Sequence, residues 1–497
     1  MRATILITTV VMLANGTAAA DRPNIIFMMA DDQGWAGTSV AMHPTVAASK
    51  GAIYHMPNLE KLAAQGMRFS SAYSPAPVCS PTRISIQTGK SPAQLHWTKA
   101  APPVEGRKLI EPRLIKSISA DETTLGELLR KAGYATAHYG KWHIAGGGPE
   151  SHGYDESDGD TGNENAYQFT DPNPVDIFGM ADRAERFMEK SVKADKPFYI
   201  QMSWNALHAA ENASPATLAK YEKLLPGDTF KRVAVAAITE DLDRGVGQIL
   251  AAIDRLGLAD NTYVIYTSDN GAGGGGGGKA GGKGGAGGGK PAGLSGGKGG
   301  VWEGGIRVPF ILRGPGVKPN SWCHVPIVGY DMLPTFCQWA GVSTKSLPRD
   351  IEGGSIVPLL AGDGNGEVHR PREGLVFHFP HYQSEDGPQS SLRVGDLKLM
   401  HLYEDDRYAL FDLSKDLGER HDLSAKMPAE TTRLRKQLDE YLAAVDAQFA
   451  TPNKEFDPTK PLPDARKQGG GQKGGAKKMP GGMKKPAGNN KKAKVTQ

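Results

Sequence analysis

Asn24-Ile-Ile-Phe-Met-Met-Ala-Asp-Asp32 is the stretch on which the fold turns. A short uncharged run rich in strand formers reads as a strand buried on both faces, and this one delivers two carboxylates at its carboxyl end. Open α/β sheets gather their ligands at that end. The same design recurs further along the chain. Leu125–Gly133 has helical spacing and a glycine stop, and Tyr134–Tyr139 follows as a strand ending at Gly140-Lys141. Pro197–Trp204 and Thr262–Thr267 are further strands, with a helix over Val233–Leu256 between them. Strands alternating with helices predict an α/β fold, with a three-layer α/β/α main domain on a mostly parallel sheet over residues 21–372.

Beyond about Arg372 the texture changes to short strand-like pieces, Gly374–Phe379, Ser391–Val394, Lys398–Leu402 and Tyr408–Leu413, closed by an amphipathic helix over 429–447. They predict a smaller C-terminal α+β domain carrying an antiparallel sheet, residues 373–450. From 451 to 497 the chain is Pro-rich and then Lys/Gly-rich, with too few apolar residues to fold. With 497 residues and 39% hydrophobic content the whole chain is neither a short peptide nor a disordered protein, and it exceeds the ~250–300 residues at which single cores stop growing.

The first twenty residues read Met1-Arg2, an apolar body from Ala3 to Leu13, and Ala18-Ala19-Ala20 before Asp21, the pattern of a leader cleaved after Ala20. Its apolar body is shorter than the ~20 residues that span a bilayer, so a secreted or periplasmic protein with no transmembrane span is expected. Three cysteines agree with export without requiring it. Cys323 and Cys337 bracket an apolar stretch, either as a disulfide or as two buried thiols, and Cys79 is left over. The net charge of +4 is uneven: Arg466 to Gln497 holds one arginine, nine lysines and no acid, which leaves −6 for residues 1–465. No nucleic-acid partner is expected, whereas the basic tail is suited to anionic polymers or surfaces. Between Gly271 and Gly300 lie nineteen glycines and four lysines, a flexible segment over 271–297 that lacks the spacing of a phosphate-binding loop.

The chemistry concentrates elsewhere. Cys79-Ser80-Pro81-Thr82-Arg83 leads into Ile-Ser-Ile-Gln-Thr-Gly89-Lys90, and in chain order with it stand Asp31-Asp32-x-Gly34, Gly140-Lys141-Trp142-His143, His208, Ser268-Asp269-Asn270-Gly271 and Lys298-x-x-x-x-Glu303-Gly-Gly-Ile-Arg307-Val-Pro309. Together these motifs resemble the formylglycine-dependent, type I sulfatases, arylsulfatase-like enzymes of the alkaline-phosphatase-like superfold. The resemblance runs from Pro23 to about Phe449, and it reaches the small domain in Arg393-Val-Gly-Asp-Leu-Lys398-Leu and Leu410-Phe-Asp-Leu-x-x-Asp416-x-x-Glu419. The chain departs from the family after His208, where Ala210 stands in place of a usual proline.

The resemblance implies a sulfuric ester hydrolase acting on a sulfated carbohydrate or aryl sulfate. Cys79 is oxidised by a maturation enzyme to formylglycine, whose hydrate is the nucleophile. Asp31, Asp32, Asp269 and Asn270 are hard oxygen donors suited to Ca²⁺, with Mg²⁺ the alternative, and residue 79 joins them as a ligand. Arg83 and Lys141 hold the hydrate, His208 and Lys298 meet the sulfate, and His143 takes a proton from the second hydroxyl. Several cations suit a reaction in which a shielded sulfur must be attacked while charge moves onto oxygen. Glu303-Gly-Gly-Ile-Arg307 is read as structural, and His378 and His381 either as substrate contacts at the mouth of the cleft or as two solvated imidazoles on a surface strand. Two rivals remain open: a phosphodiesterase or phosphonate hydrolase of the same superfold, and a catalytically inactive sulfatase-like binding protein.

Overall fold

The computed structural model describes residues 22–167, 174–208, 212–273, 293–384 and 386–463. The stretch read as a leader, the interior of the glycine-rich segment and the Lys/Gly-rich tail lie outside the described residues. Eight strands form one mixed sheet, in the order Ser321–Cys323, Met67–Phe69, Phe310–Arg313, Thr262–Ser268, Asn24–Ala30, Phe198–Ser203, Ala135–Gly140 and Glu156–Ser157. Neighbours are parallel throughout except around Phe310–Arg313, which runs against both of its neighbours. That strand starts just after the short turn Glu303–Ile306, at the end of the sheet where Thr262–Ser268 finishes, so the chain has no crossover in which to reverse.

Asn24–Ala30 lies in the middle and is buried along its whole length. Ile26, Met28 and Ala30 point to one face, into a core shared with the helices Pro57–Gln65, Ile177–Lys193 and Phe230–Arg255. Ile25, Phe27 and Met29 point to the other, against Leu125–Lys131 and Met332–Trp339. This is the three-layer α/β/α arrangement read from the sequence.

A separate four-stranded antiparallel meander follows, Leu375–Phe379, Gln389–Val394, Leu397–Leu402 and Arg407–Asp412, backed by the helix Pro428–Ala444. The period of two divides its side chains between two cores. Leu375, Phe377, Met400 and Phe411 meet Tyr73, Val78, Val301 and Ile306 of the main body. Val376, Leu392, Leu399 and Leu410 meet Leu434, Leu438 and Leu442 of the helix. The small sheet is thus clamped between its own helix and the main body. Cys79, Cys323 and Cys337 are all buried and free. No helix among the described residues is long and apolar enough to cross a membrane.

Candidate active site

Three parallel pairings bring the chemistry together. Ala30 is in register with Ser268, Met29 with Ser203, and Gly140 with Ser203. The segments Asp31-Asp32, Asp269-Asn270 and Lys141-Trp142-His143 therefore leave the sheet side by side at its carboxyl edge, the place that the strand Asn24–Ala30 predicts. Cys79 arrives from outside the sheet, at the first turn of a ten-residue helix, Cys79–Thr88, in which every residue is buried.

Around Cys79 the contacts are close. Its Sγ lies 3.7 Å from Asp31 Oδ1 and 3.3 Å from Lys298 Nζ. Lys141 Nζ is paired with Asp31 Oδ2 at 2.5 Å, and Lys298 Nζ with Asp32 Oδ1. Arg83, one turn along the helix from Cys79, donates from Nε and Nη2 to Asp269 Oδ2 at 3.1 and 2.7 Å and from Nη1 to the Lys141 carbonyl. The other Asp269 oxygen accepts the Asp32 amide at 3.1 Å, and Asn270 Nδ2 donates to Asp32 Oδ1 at 2.8 Å. His143 Nδ1 lies 3.2 Å from the hydroxyl of Ser80, next to Cys79.

The backbone is held away from relaxed geometry at three places. Asp32, His143 and Leu207, the residue before His208, have φ of 61°, 61° and 74°. Left-handed conformations at non-glycine residues cost about 1–3 kcal/mol each and gather where function requires them. Two glycines are needed for closure: a Cβ on Gly273 would collide with the Asp32 carboxylate, and one on Gly271 with the Gly304 carbonyl.

The electrostatics are conflicted. Burial, then the neighbouring Asp269 and Asp32, push Asp31 up to about 7 against the pull of Lys141 and Lys298. Burial also raises Asp32, but Lys298 and His208 outweigh it and hold the carboxyl below its usual range. His208 is driven down to about 3 by burial and Lys141, and His143 far below its ordinary value by burial, Lys141, Arg83 and Lys298. Both imidazoles are therefore neutral. Burial would lower Lys298, yet Asp32 and the groups around it hold its ammonium well above the usual range. Burial raises the Cys79 thiol to about 11.

Oxygen and sulfur atoms of Asp31, Cys79 and Asp269 lie within 4.8 Å of one another, and the buried Asn270 Oδ1 has no hydrogen-bond partner among the described residues. Three crowded carboxylates and an orphaned amide oxygen suit a hard divalent cation, which would relieve both the repulsion and the missing partner.

The structure thus brings Asp31, Asp32, Cys79, Arg83, Lys141, Asp269, Asn270 and Lys298 into one contiguous group, with His143 beside Ser80 and His208 within electrostatic reach of Asp32 and both lysines. His378 and His381 stand apart from it. His378 lies between the Ser390 hydroxyl and the Gln448 carbonyl, 2.6 and 2.8 Å away, and His381 between Glu111 and Thr98, 2.7 and 2.6 Å away. Both rings are buried. Thr161 escapes the sequence reading: its hydroxyl accepts the Trp142 amide at 3.0 Å and its carbonyl the His143 amide at 2.8 Å, fixing the turn that carries Lys141 and His143. A threonine twenty residues past the motif carries no local signal.

The profile of the sulfatase family matches residues 23–342, and that of the C-terminal region of N-sulphoglucosamine sulphohydrolase matches residues 297–448. Among characterised relatives, the chain is 26% identical to arylsulfatase A of Homo sapiens, over 88% of this chain and 90% of that protein. It is 29% identical to N-acetylgalactosamine-6-sulfatase of Rattus norvegicus, over 70% of this chain and 67% of that one. Among solved structures it shares its fold, with a TM-score of 0.69 and 22% identity, with a protein crystallised in complex with a neocarrahexaose, covering 88% of this chain and 96% of that one.

Proposed function

This chain belongs to the sulfatase family and is a sulfuric ester hydrolase, and we propose that it removes sulfate from a sulfated carbohydrate with a nucleophile generated at Cys79. The observation that carries this reading is the company Cys79 keeps: an ammonium 3.3 Å from its sulfur, a carboxylate 3.7 Å away, and Arg83 one helical turn on. As a thiol held up to about 11 by burial, Cys79 is a poor nucleophile at neutral pH. Oxidation to formylglycine by a maturation enzyme during export supplies what a thiol cannot, a hydrate with one hydroxyl to attack sulfur and a second through which sulfate is expelled. The leader read over residues 1–20 accords with that route and with a secreted or periplasmic location.

Asp31, Asp32, Asp269 and Asn270 would hold Ca²⁺, or Mg²⁺ in its place, with residue 79 as a further ligand. The cation would supply charge neutralisation at the sulfate oxygens. The remaining work falls to side chains of this chain. Arg83 and Lys141 would hold the nucleophile's oxygens, and Lys298 would meet the sulfate. His143, kept neutral by burial and three cations, is poised to accept a proton from the group at residue 79. His208 is equally neutral at rest. An arriving sulfate monoester would raise its basicity, so it or Lys298 can return a proton to the leaving oxygen. The N-acetylgalactosamine-6-sulfatase relative supports the choice of a sulfated sugar.

Protein coexpressed with a maturation enzyme should release sulfate from sulfated mono- or oligosaccharides, and the peptide carrying residue 79 should show the mass of the aldehyde. Full activity with an unmodified thiol would refute the nucleophile. Hydrolysis of phosphodiesters at a higher kcat/KM than of sulfate esters would refute the substrate class.

A further inference from the structure

The segment Glu303-Gly-Gly-Ile-Arg307 follows Lys298 and reads from sequence as structural, yet its contacts reach three parts of the site. Gly271, next to Asn270, donates its amide to the Gly305 carbonyl at 2.9 Å. Ser74, on the approach to Cys79, donates to the Ile306 carbonyl at 2.8 Å. A Cβ on Gly305 would collide with the carbonyls of Gly297 and Gly300, on either side of Lys298. One short turn therefore abuts the metal-donor segment, the nucleophile segment and the Lys298 segment.

What fixes that turn comes from the small sheet. Lys398 is fully buried, and its Nζ lies 2.9 Å from Glu303 Oε1 and 2.8 Å from Glu419 Oε1. The other Glu419 oxygen accepts the Glu303 amide at 2.8 Å, and the other Glu303 oxygen accepts Arg307 Nε and the Tyr73 hydroxyl at 2.6 and 2.8 Å. Arg393, also from the small sheet, donates to the Tyr73 hydroxyl. Buried ion networks are weak sources of stability, because desolvation offsets attraction, but they impose one geometry.

From this arrangement we propose that Lys398 is a positioning residue for the hydrolytic reaction: through Glu303 and Glu419 it holds the turn that sets Lys298 against Asp32 and residue 79. The small sheet thereby belongs to the active site's scaffold, although it places no charged group among the reacting atoms described above. The proposal rests on the sulfatase reading for its kinetic arm only.

Lys398→Met tests it in the mature, full-length protein. Misplacement of a reacting group by about 1 Å costs on the order of 100-fold, so kcat toward a sulfate ester should fall about that much with KM changed less than about threefold. Lys398→Arg should recover a large part of the loss. In a Lys298→Ala background the same Lys398→Met change should cost little further kcat, since the group it positions is already gone. Labelling of Lys298 by an amine-reactive acylating agent, followed by mass spectrometry, should be several-fold faster in Lys398→Met. Should that variant fail to fold, Glu419→Gln, which keeps an acceptor for the Glu303 amide and removes one charge, replaces it in every arm. An undiminished kcat in folded variant, a fully additive loss in the Lys298→Ala background, or unchanged Lys298 labelling would overturn the proposal. Faster labelling in a protein that turns over no sulfate ester would instead uphold the positioning and overturn the sulfatase reading.

Discussion

Two of the clusters of buried charge among the described residues differ in whether their demands are met. One is the group around Cys79. The other joins Thr98, Lys99, Glu111 and His381, where the side chains of Lys99, Glu111 and His381 are all fully buried. In the second every polar group has its partner. Lys99 Nζ reaches both Glu111 oxygens and the Tyr382 carbonyl at 2.9 to 3.1 Å, and His381 spans Glu111 and Thr98. In the first, Asn270 Oδ1 and His208 Nδ1 have no hydrogen-bond partner among the described residues, and Asp31 is pushed up by burial and by two neighbouring carboxylates. Burial and charge are common to both, so neither marks a site. What separates these two is unmet demand, which a ligand or metal would meet.

The sharpest way to break the comparison is to remove the side chain proposed as the source of the nucleophile. Cys79→Ala should abolish turnover, a loss of about 10⁴-fold or more if the covalent step cannot be bypassed. Its thermal midpoint should stay within about 2 °C, since a small side chain is being replaced by a smaller one at a helix start. Residual activity above a hundredth of the parent, in protein free of contaminating sulfatase, would sink the assignment.

Lys141→Ala and Lys298→Ala should each cost about 10²–10³-fold in kcat, the usual worth of one preorganised cation or donor at developing negative charge. Loss of either ammonium leaves Asp31 or Asp32 less neutralised, so chelation followed by Ca²⁺ titration should show a shifted metal requirement as well. Equal and small effects on KM alone would move these lysines out of the chemistry and into binding.

How much of this the sequence reveals depends on element length and on pattern. Asn24–Ala30 is legible because seven residues suffice to show an uninterrupted strand pattern. Met67–Phe69 and Phe310–Arg313 are too short to carry a period, and so the reversed strand and the sheet's far edge are not predicted. The helix Cys79–Thr88 is hidden for the opposite reason: all ten residues are buried, so it has no polar face, and its Ser, Pro and Thr suggest a turn. The ten residues that meet at the site are legible because their motifs are local. Thr161 and the role of Lys398 are not, since each acts through contacts made only after folding. His378 and His381, three apart in a strand-like stretch, read as substrate contacts or as solvent-facing imidazoles, and only the fold shows both rings buried and engaged.

The second cluster should respond in the opposite way to the first. Glu111→Ala leaves Lys99 buried without its counter-ion, which typically costs 3–5 kcal/mol of stability. The rate per folded molecule, counted by active-site titration, should stay within about twofold of the parent. A large fall in kcat with unchanged stability would reverse the roles assigned to the two clusters.

The smallest effect expected is one of pH. Burial lowers the His381 pKa below its ordinary 6.5 despite the pull of Glu111, so the ring folds neutral and donates one hydrogen bond to the carboxylate. Burial works to raise Glu111, but His381 and Lys99 overcome it and the carboxyl sits below its usual range. Both depressed groups act with one sign. The unfolded chain binds protons that the folded one does not, so their stabilisation is complete above the unfolded pKa values and is lost as pH falls through the folded ones. Stability should therefore decline from about pH 6.5 downward as the unfolded histidine charges, with a slope limited to about 1.4 kcal/mol per pH unit for each proton. His381→Gln keeps a donor for Glu111 and cannot titrate. Denaturant unfolding at a series of pH values should show the upper part of that decline flattened in the variant, at the expense of a modest loss of stability at neutral pH. An identical slope between pH 6.5 and 5.5 in parent and variant would mean that the ring is not held neutral, and that this cluster, too, contains an unmet demand.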